Sequence, residues 1–148
     1  MKPVESGRNK VATANSLGIT NSRRGSTDSV TKILVVDDDP DVVAICSLIL
    51  ESEGYEVAAA VNGGEAVDKV KSTDIDVVLM DVMMPVLDGL TVCKIMKRDP
   101  STRDLPVIIM SASEVLLRKG QTCDADAVLA KPFDIEILVD TVGQFASI

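Results

Sequence analysis

The chain has 148 residues, 46% hydrophobic and 26% charged, enough for one ordinary folded domain with a sizeable core. It contains no histidine, which excludes histidine-based catalysis and ligation, and three scattered cysteines argue against a disulfide framework or a zinc site. The net charge of −8 is unevenly divided: residues 1–31 hold five cations against two acids, +3, which leaves −11 on the remainder and disfavours nucleic acid as a partner.

No apolar run reaches the roughly 18–20 residues of a membrane-spanning helix, and no signal-peptide pattern opens the chain. A cytoplasmic protein without membrane insertion is expected. Residues 1–31 are rich in Ser, Thr, Asn, Gly, Lys and Arg and lack periodicity, so they read as a disordered tail. The text changes at Lys32, where the expected domain, residues 32–148, begins.

Ile33-Leu34-Val35-Val36 is the continuous β-branched run of a strand buried on both faces. It ends in Asp37-Asp38-Asp39-Pro40, in which Asp39 reads as a helix N-cap and Pro40 as the first helical residue. Val42, Ile45, Cys46, Ile49 and Leu50 then recur at helical spacing, expected to face inward, until Gly54 stops the helix. A second strand is predicted over 56–60 and a short helix over 65–71, with Ala66, Val67 and Val70 inward. A third buried strand, 75–80, leads into Asp81. A loop through Pro85 and Asp88-Gly89 precedes a helix carrying Val92, Ile95 and Met96. A fourth strand over 106–110 is followed by a weaker helix over 114–119, a fifth strand over 127–130, and a last helix using Ile135, Leu138, Val142 and Phe145. Five strands alternating with five helices make a doubly wound parallel α/β domain, single and without internal repeats.

Open parallel sheets place their sites at the carboxyl ends of the strands. Those ends carry Asp37, Asp38 and Asp39 after the first strand, Asp81 after the third, Ser111 after the fourth and Lys131 after the fifth. Carboxylates gathered there repel by about 4 kcal/mol per pair at 4 Å with an effective dielectric near 20. A hard divalent cation relieves that repulsion, and Mg²⁺ fits because it prefers oxygen and keeps waters for a phosphate to replace. Lys131 suits a phosphoryl oxygen as a point charge, and Ser111 offers a hydroxyl donor. Such a set suits phosphoryl transfer to a carboxylate.

At this point four segments resemble the response-regulator receiver family. They are residues 33–39, residues 80–89 (Met-Asp-Val-Met-Met-Pro-Val-Leu-Asp-Gly), residues 105–112 and Ala130-Lys131-Pro132-Phe133. The resemblance covers about residues 32–148, and it is the four motifs in order that make it specific. It implies a flavodoxin-like sheet of order 2-1-3-4-5. It implies Asp81 as phosphoacceptor, serving a sensor histidine kinase or histidine phosphotransfer protein. Asp38 and Asp81 would bind Mg²⁺ directly, with the Met83 backbone carbonyl as a further ligand and Asp37 assisting largely through water. Ser111 would swing to the phosphoryl group, Lys131 would pair with it, and a cis bond would precede Pro132. Val128 departs from the pattern, standing where many receivers carry Tyr or Phe, and Asp124 replaces a usual glycine.

Plainer readings stand beside these. Asp39 and Ser113 read as helix caps, Asp88-Gly89 as a turn, and Met83 and Met84 as packing residues, Met83 offering at most its carbonyl. The three thiols read as buried or inert. The expected function is a stand-alone receiver of a two-component phosphorelay, catalysing only its own phosphorylation and dephosphorylation and docking to a separate downstream protein when Asp81 is phosphorylated. One alternative is a small haloacid-dehalogenase-type phosphatase using Asp37. Another is a degenerate receiver that binds partners without phosphorylation.

Overall fold

The computed structural model describes residues 30–84, 87–115, 118 and 124–146. The expected tail thus lies almost wholly outside the described residues, as do 116, 117 and 119 of the helix expected over 114–119. Among the described residues the elements run β1 (Lys32–Val36), α1 (Pro40–Ser52), β2 (Glu56–Ala60), α2 (Gly63–Ser72), β3 (Val77–Asp81), α3 (Gly89–Arg98), β4 (Val107–Ser111), β5 (Ala127–Ala130) and α4 (Ile135–Ala146). Four helices are therefore described where five were expected, α4 being the last of the expected five.

The five strands form one parallel sheet in the order β2-β1-β3-β4-β5. Its central strands are apolar on both faces because helices cover both. Ile33, Val35, Val77, Leu79, Ile108 and Met110 pack against Cys46 and Leu50 of α1 and Leu138 and Val142 of α4. Leu34, Val36, Val78, Met80, Val107 and Ile109 point the other way, onto Ala66 of α2 and Val92, Cys93 and Met96 of α3. The alternation follows from the strand's two-residue side-chain period. Among the described residues no helix is long and apolar enough to cross a membrane.

Helix ends follow local chemistry. The Asp39 side chain accepts from the Asp41 N–H, with Pro40 next, as the sequence predicts. At the other end Gly54 takes φ +93°, and the Gly54 and Tyr55 N–H groups donate to Glu51 and Leu50, closing a Schellman motif. α2 starts at Gly63, two residues before its expected start, because the Asn62 side chain caps it by accepting from the Glu65 N–H. Asp88 is more than a turn residue: its carboxylate caps α3 by accepting from the Thr91 N–H. β4 starts one residue late, since Pro106 has no N–H for the ladder. β3 runs over Val77–Asp81, so that Ile75 is buried just ahead of the strand and Asp81 is its last residue.

Three inward assignments fail. Ile45, Ile95 and Ile135 are exposed, because each helix lies on one sheet face and buries only the stripe that meets it. Asp124 has φ +64°, the left-handed region that favours glycine, which accounts for the glycine usual there. Aspartate is among the few other residues that enter this region.

Candidate functional site

The parallel register delivers the chemistry to one edge. Val36 lies beside Met80, Asp81 beside Met110, and Ser111 beside Ala130, so the residues at and just after these positions emerge together. Carboxylate oxygens of Asp37, Asp38 and Asp81 all lie within 4.8 Å of one another. Lys131 reaches into the cluster, its Nζ 3.0 Å from Asp37 Oδ2 and 3.0 Å from Asp81 Oδ1. Asp37 and Asp81 are buried and Asp38 is exposed, so one face of the cluster opens to solvent.

Neighbouring backbone holds these groups. Asp37 donates its N–H to the Ala60 carbonyl, and its Oδ1 accepts from the Asp39 N–H at 2.9 Å. Lys131 donates its N–H to the Ser111 carbonyl at 2.8 Å, tying β5's end to β4's, and the Lys131–Pro132 bond is cis as the resemblance implies. The Ser111 side chain is buried, and its Oγ accepts from the Ser113 N–H at 3.0 Å. Met83 follows two residues after Asp81 with its side chain largely exposed, so it is not a packing residue; Met84 is the buried one.

The electrostatics are those of an acidic site with one fixed cation. Burial pushes the Asp81 carboxyl above its ordinary value; the Lys131 ammonium pulls the other way, and the Asp37 and Asp38 charges add to the rise. For Lys131 burial acts to lower the value, but hydrogen bonds and charge from Asp37 and Asp81 outweigh it and hold the ammonium above the usual lysine range. Burial likewise pushes up the Cys46 thiol, in keeping with an inert core residue.

The donor set fits Mg²⁺: three carboxylates, all hard oxygen donors, one of them open to solvent. Opposite ligands of an ion with bonds of about 2.1 Å stand roughly 4.2 Å apart, close to the span of this cluster. Asp39 is not part of the set, being engaged at the head of α1. A phosphatase reading built on Asp37 and a second acid two residues on therefore loses that second acid.

The sequence matches the response regulator receiver domain family over residues 33–143. The chain belongs to the response-regulator receiver family. Among relatives of this receiver, the DNA-binding dual master transcriptional regulator RpaA of Synechocystis is 38% identical over 113 residues. The match takes in 75% of the receiver and 47% of RpaA, so the chain spans about half that relative's length. In solved structures, the chemotaxis protein CheY4 of Vibrio cholerae aligns with a TM-score of 0.73 at 30% identity, covering 79% of this chain and 99% of that one. The receiver domain of a sensor histidine kinase from Pseudomonas aeruginosa, solved with a magnesium ion coordinated in its active-site cleft, aligns at 0.72 and 28% identity, covering 81% and 100%. Aspartyl phosphorylation and Mg²⁺ are typical of the receiver family.

Sequence reasoning missed two features of this receiver's site. Lys131 was expected against a phosphoryl group, yet here it pairs with two of the acids themselves. Gly89 read as a turn, but a Cβ there would stand 2.3 Å from the Asp81 carbonyl oxygen. Nothing local signals either contact. Val128, the departure from the family pattern, sits on β5 opposite Ile109 and is partly exposed.

Proposed function

We propose that this receiver takes a phosphoryl group onto Asp81 from a phosphohistidine of a sensor kinase or phosphotransfer protein, and passes the signal on by protein–protein contact. The observation that carries this reading is the convergence of Asp37, Asp38, Asp81 and Lys131 at one sheet edge. An Asp81 carboxylate oxygen attacks phosphorus, the P–N bond breaks, and its electron pair returns to the imidazole nitrogen. Lys131, already beside Asp81 Oδ1, faces the incoming phosphoryl oxygens, and the Ser111 hydroxyl lies at the end of the adjoining strand to donate to one of them. Asp37, Asp38, Asp81 and the Met83 carbonyl would hold Mg²⁺, which supplies positive charge for the phosphoryl oxygens. The molecule thereby catalyses its own phosphorylation and dephosphorylation and no turnover of a free substrate. A cytoplasmic setting suits such a partner. The strongly acidic balance after residue 31 favours a protein over nucleic acid as the output target.

Treatment with acetyl phosphate and Mg²⁺, followed by mass spectrometry, is expected to find one added phosphoryl group, located on Asp81. Label on another residue, or none, would overturn the reading.

The protein donor must lie over the same edge, where α1 begins. Ile45 and Leu48 of α1, three residues apart on the helix, are 59% and 71% exposed and offer an apolar surface to such a donor. Covering each is worth roughly 1 kcal/mol, part of the 1.5–3 kcal/mol of complete burial. The paired change Ile45→Asp and Leu48→Asp is therefore expected to slow transfer from a phosphohistidine protein about tenfold or more. Labelling by acetyl phosphate should be unchanged, since a small donor needs no docking face. Equal slowing of both would place the effect in the site and not in docking.

A further inference from the structure

Two glycines close on the loop that follows Asp81. Gly89 is the first residue of α3, and a Cβ built there would meet the Asp81 carbonyl oxygen at 2.3 Å, the Asp81 carbonyl carbon at 3.0 Å and Val82 Cα at 3.0 Å. These are backbone atoms, which cannot rotate away. Gly63 is the first residue of α2, and a Cβ there would meet the Leu87 carbonyl oxygen at 2.7 Å and Val92 Cγ2 at 2.7 Å. The loop's own bonds complete the arrangement: the Val82 carbonyl accepts from both the Met84 N–H, at 3.1 Å, and the Gly89 N–H, at 3.0 Å. Met84 is buried in the core on the α2–α3 side, and Leu87 packs against that same cluster. Neither glycine has a left-handed φ, so conformational freedom does not account for them; close approach does.

We propose that Gly63 and Gly89 are positioning residues for the metal-binding edge, letting the first turns of α2 and α3 close on Leu87 and on the Asp81–Val82 peptide and so aim the Met83 carbonyl beside the Asp81 carboxylate. This rests on the metal reading given under Proposed function and adds to it two residues that touch neither metal nor phosphate. A side chain at either position must push the loop away from the Asp81–Val82 peptide or from α2. The carboxylates, held by β1 and β3, would stay where they are while the carbonyl moves. Changes in groups that orient metal ligands typically cost 10–100-fold in affinity.

Magnesium binding to the full chain, measured by calorimetry, tests this without any phosphoryl transfer. Gly89→Ala is expected to weaken Mg²⁺ binding at least about tenfold, and Gly63→Ala by a smaller factor in the same direction. Val142→Ala, which removes core volume under α4, serves as a control that lowers the unfolding midpoint while leaving the affinity unchanged. If Gly89→Ala does not fold, Gly63→Ala decides by the same measurement. Wild-type affinity in a folded glycine variant, or an equal loss in Val142→Ala, overturns the inference while leaving the metal site intact. A wild-type protein that binds no Mg²⁺ overturns the metal reading and this inference together.

Discussion

Asp81→Asn is expected to lose all phosphoryl incorporation and, in the absence of Mg²⁺ at neutral pH, to unfold at a higher temperature than the wild type. The first effect follows from chemistry: an amide oxygen is a poor nucleophile toward phosphorus, and Asp37, the other buried carboxylate in contact with Lys131, is expected to serve the metal and not to accept the phosphoryl group. The second follows from the field around the side chain. Burial, with Asp37 and Asp38 nearby, raises the Asp81 carboxyl value despite the Lys131 hydrogen bond. A carboxyl whose folded value is raised contributes stability fully below its unfolded value, near 3.9, and loses that contribution as pH rises through the folded value. At neutral pH the ionised group is therefore a net cost that Asn does not carry.

Removing one repulsive charge, offset by a weaker contact to Lys131, is expected to yield a gain on the order of 1 kcal/mol, or about 3–5 °C for a domain of this size. The gap between variant and wild type should narrow as pH falls toward the unfolded carboxyl value. Saturating Mg²⁺ should reverse the order, because a ligand at 100 times its dissociation constant stabilises by about 2.7 kcal/mol. Thermal unfolding with chelator and with Mg²⁺, across pH, reads all three effects. A variant less stable than the wild type in chelator would show that the ion pair with Lys131 outweighs the repulsion.

Lys131→Met should do the opposite. Its ammonium bridges two buried carboxylates, at 3.0 Å each, and is itself only 23% exposed. Breaking a buried pair by removing one partner costs roughly 3 kcal/mol, since the remaining charges are left uncompensated. The apo variant is thus expected to be much less stable than the wild type. Mg²⁺ should restore most of the loss by meeting the same oxygens, and should bind roughly tenfold more tightly, because a competing cation has gone. Lys131 has a raised value in the folded state, so its contribution is complete below the ordinary lysine value and disappears as pH rises through the folded one. The stability difference should accordingly stay flat with respect to this group through neutral pH and close only in strong alkali. Urea unfolding with chelator and with Mg²⁺ measures the first effect, and calorimetric titration the second. Unchanged or weaker Mg²⁺ binding in the variant would mean that Lys131 assists the metal site and does not compete with it.

Much of the candidate site was legible because its parts are local. Asp39 followed by Pro40 marks the start of α1 whatever surrounds it, and Asp37 and Asp81 close apolar runs that only strands explain. The caps at Asn62 and Asp88 are equally local, each within three residues of the N–H it receives. Ile45 went wrong for a different reason. α1 carries apolar residues around more of its circumference than a helix on one sheet face can bury, and helical spacing alone does not say which stripe meets the sheet.

By itself the amino-acid order determined the alternation of strands and helices, the parallel sheet, and the acids and lysine standing at its carboxyl edge. Each of these rests on interactions spanning a few residues or on a topology that few arrangements satisfy. Only the tertiary structure decided that Lys131 bridges Asp37 and Asp81, that Ile45 and Leu48 face outward, and that Gly63 and Gly89 press on the loop after Asp81. Those contacts join residues as far as 94 positions apart, and their distances are set by strand register and helix packing, which no local pattern encodes.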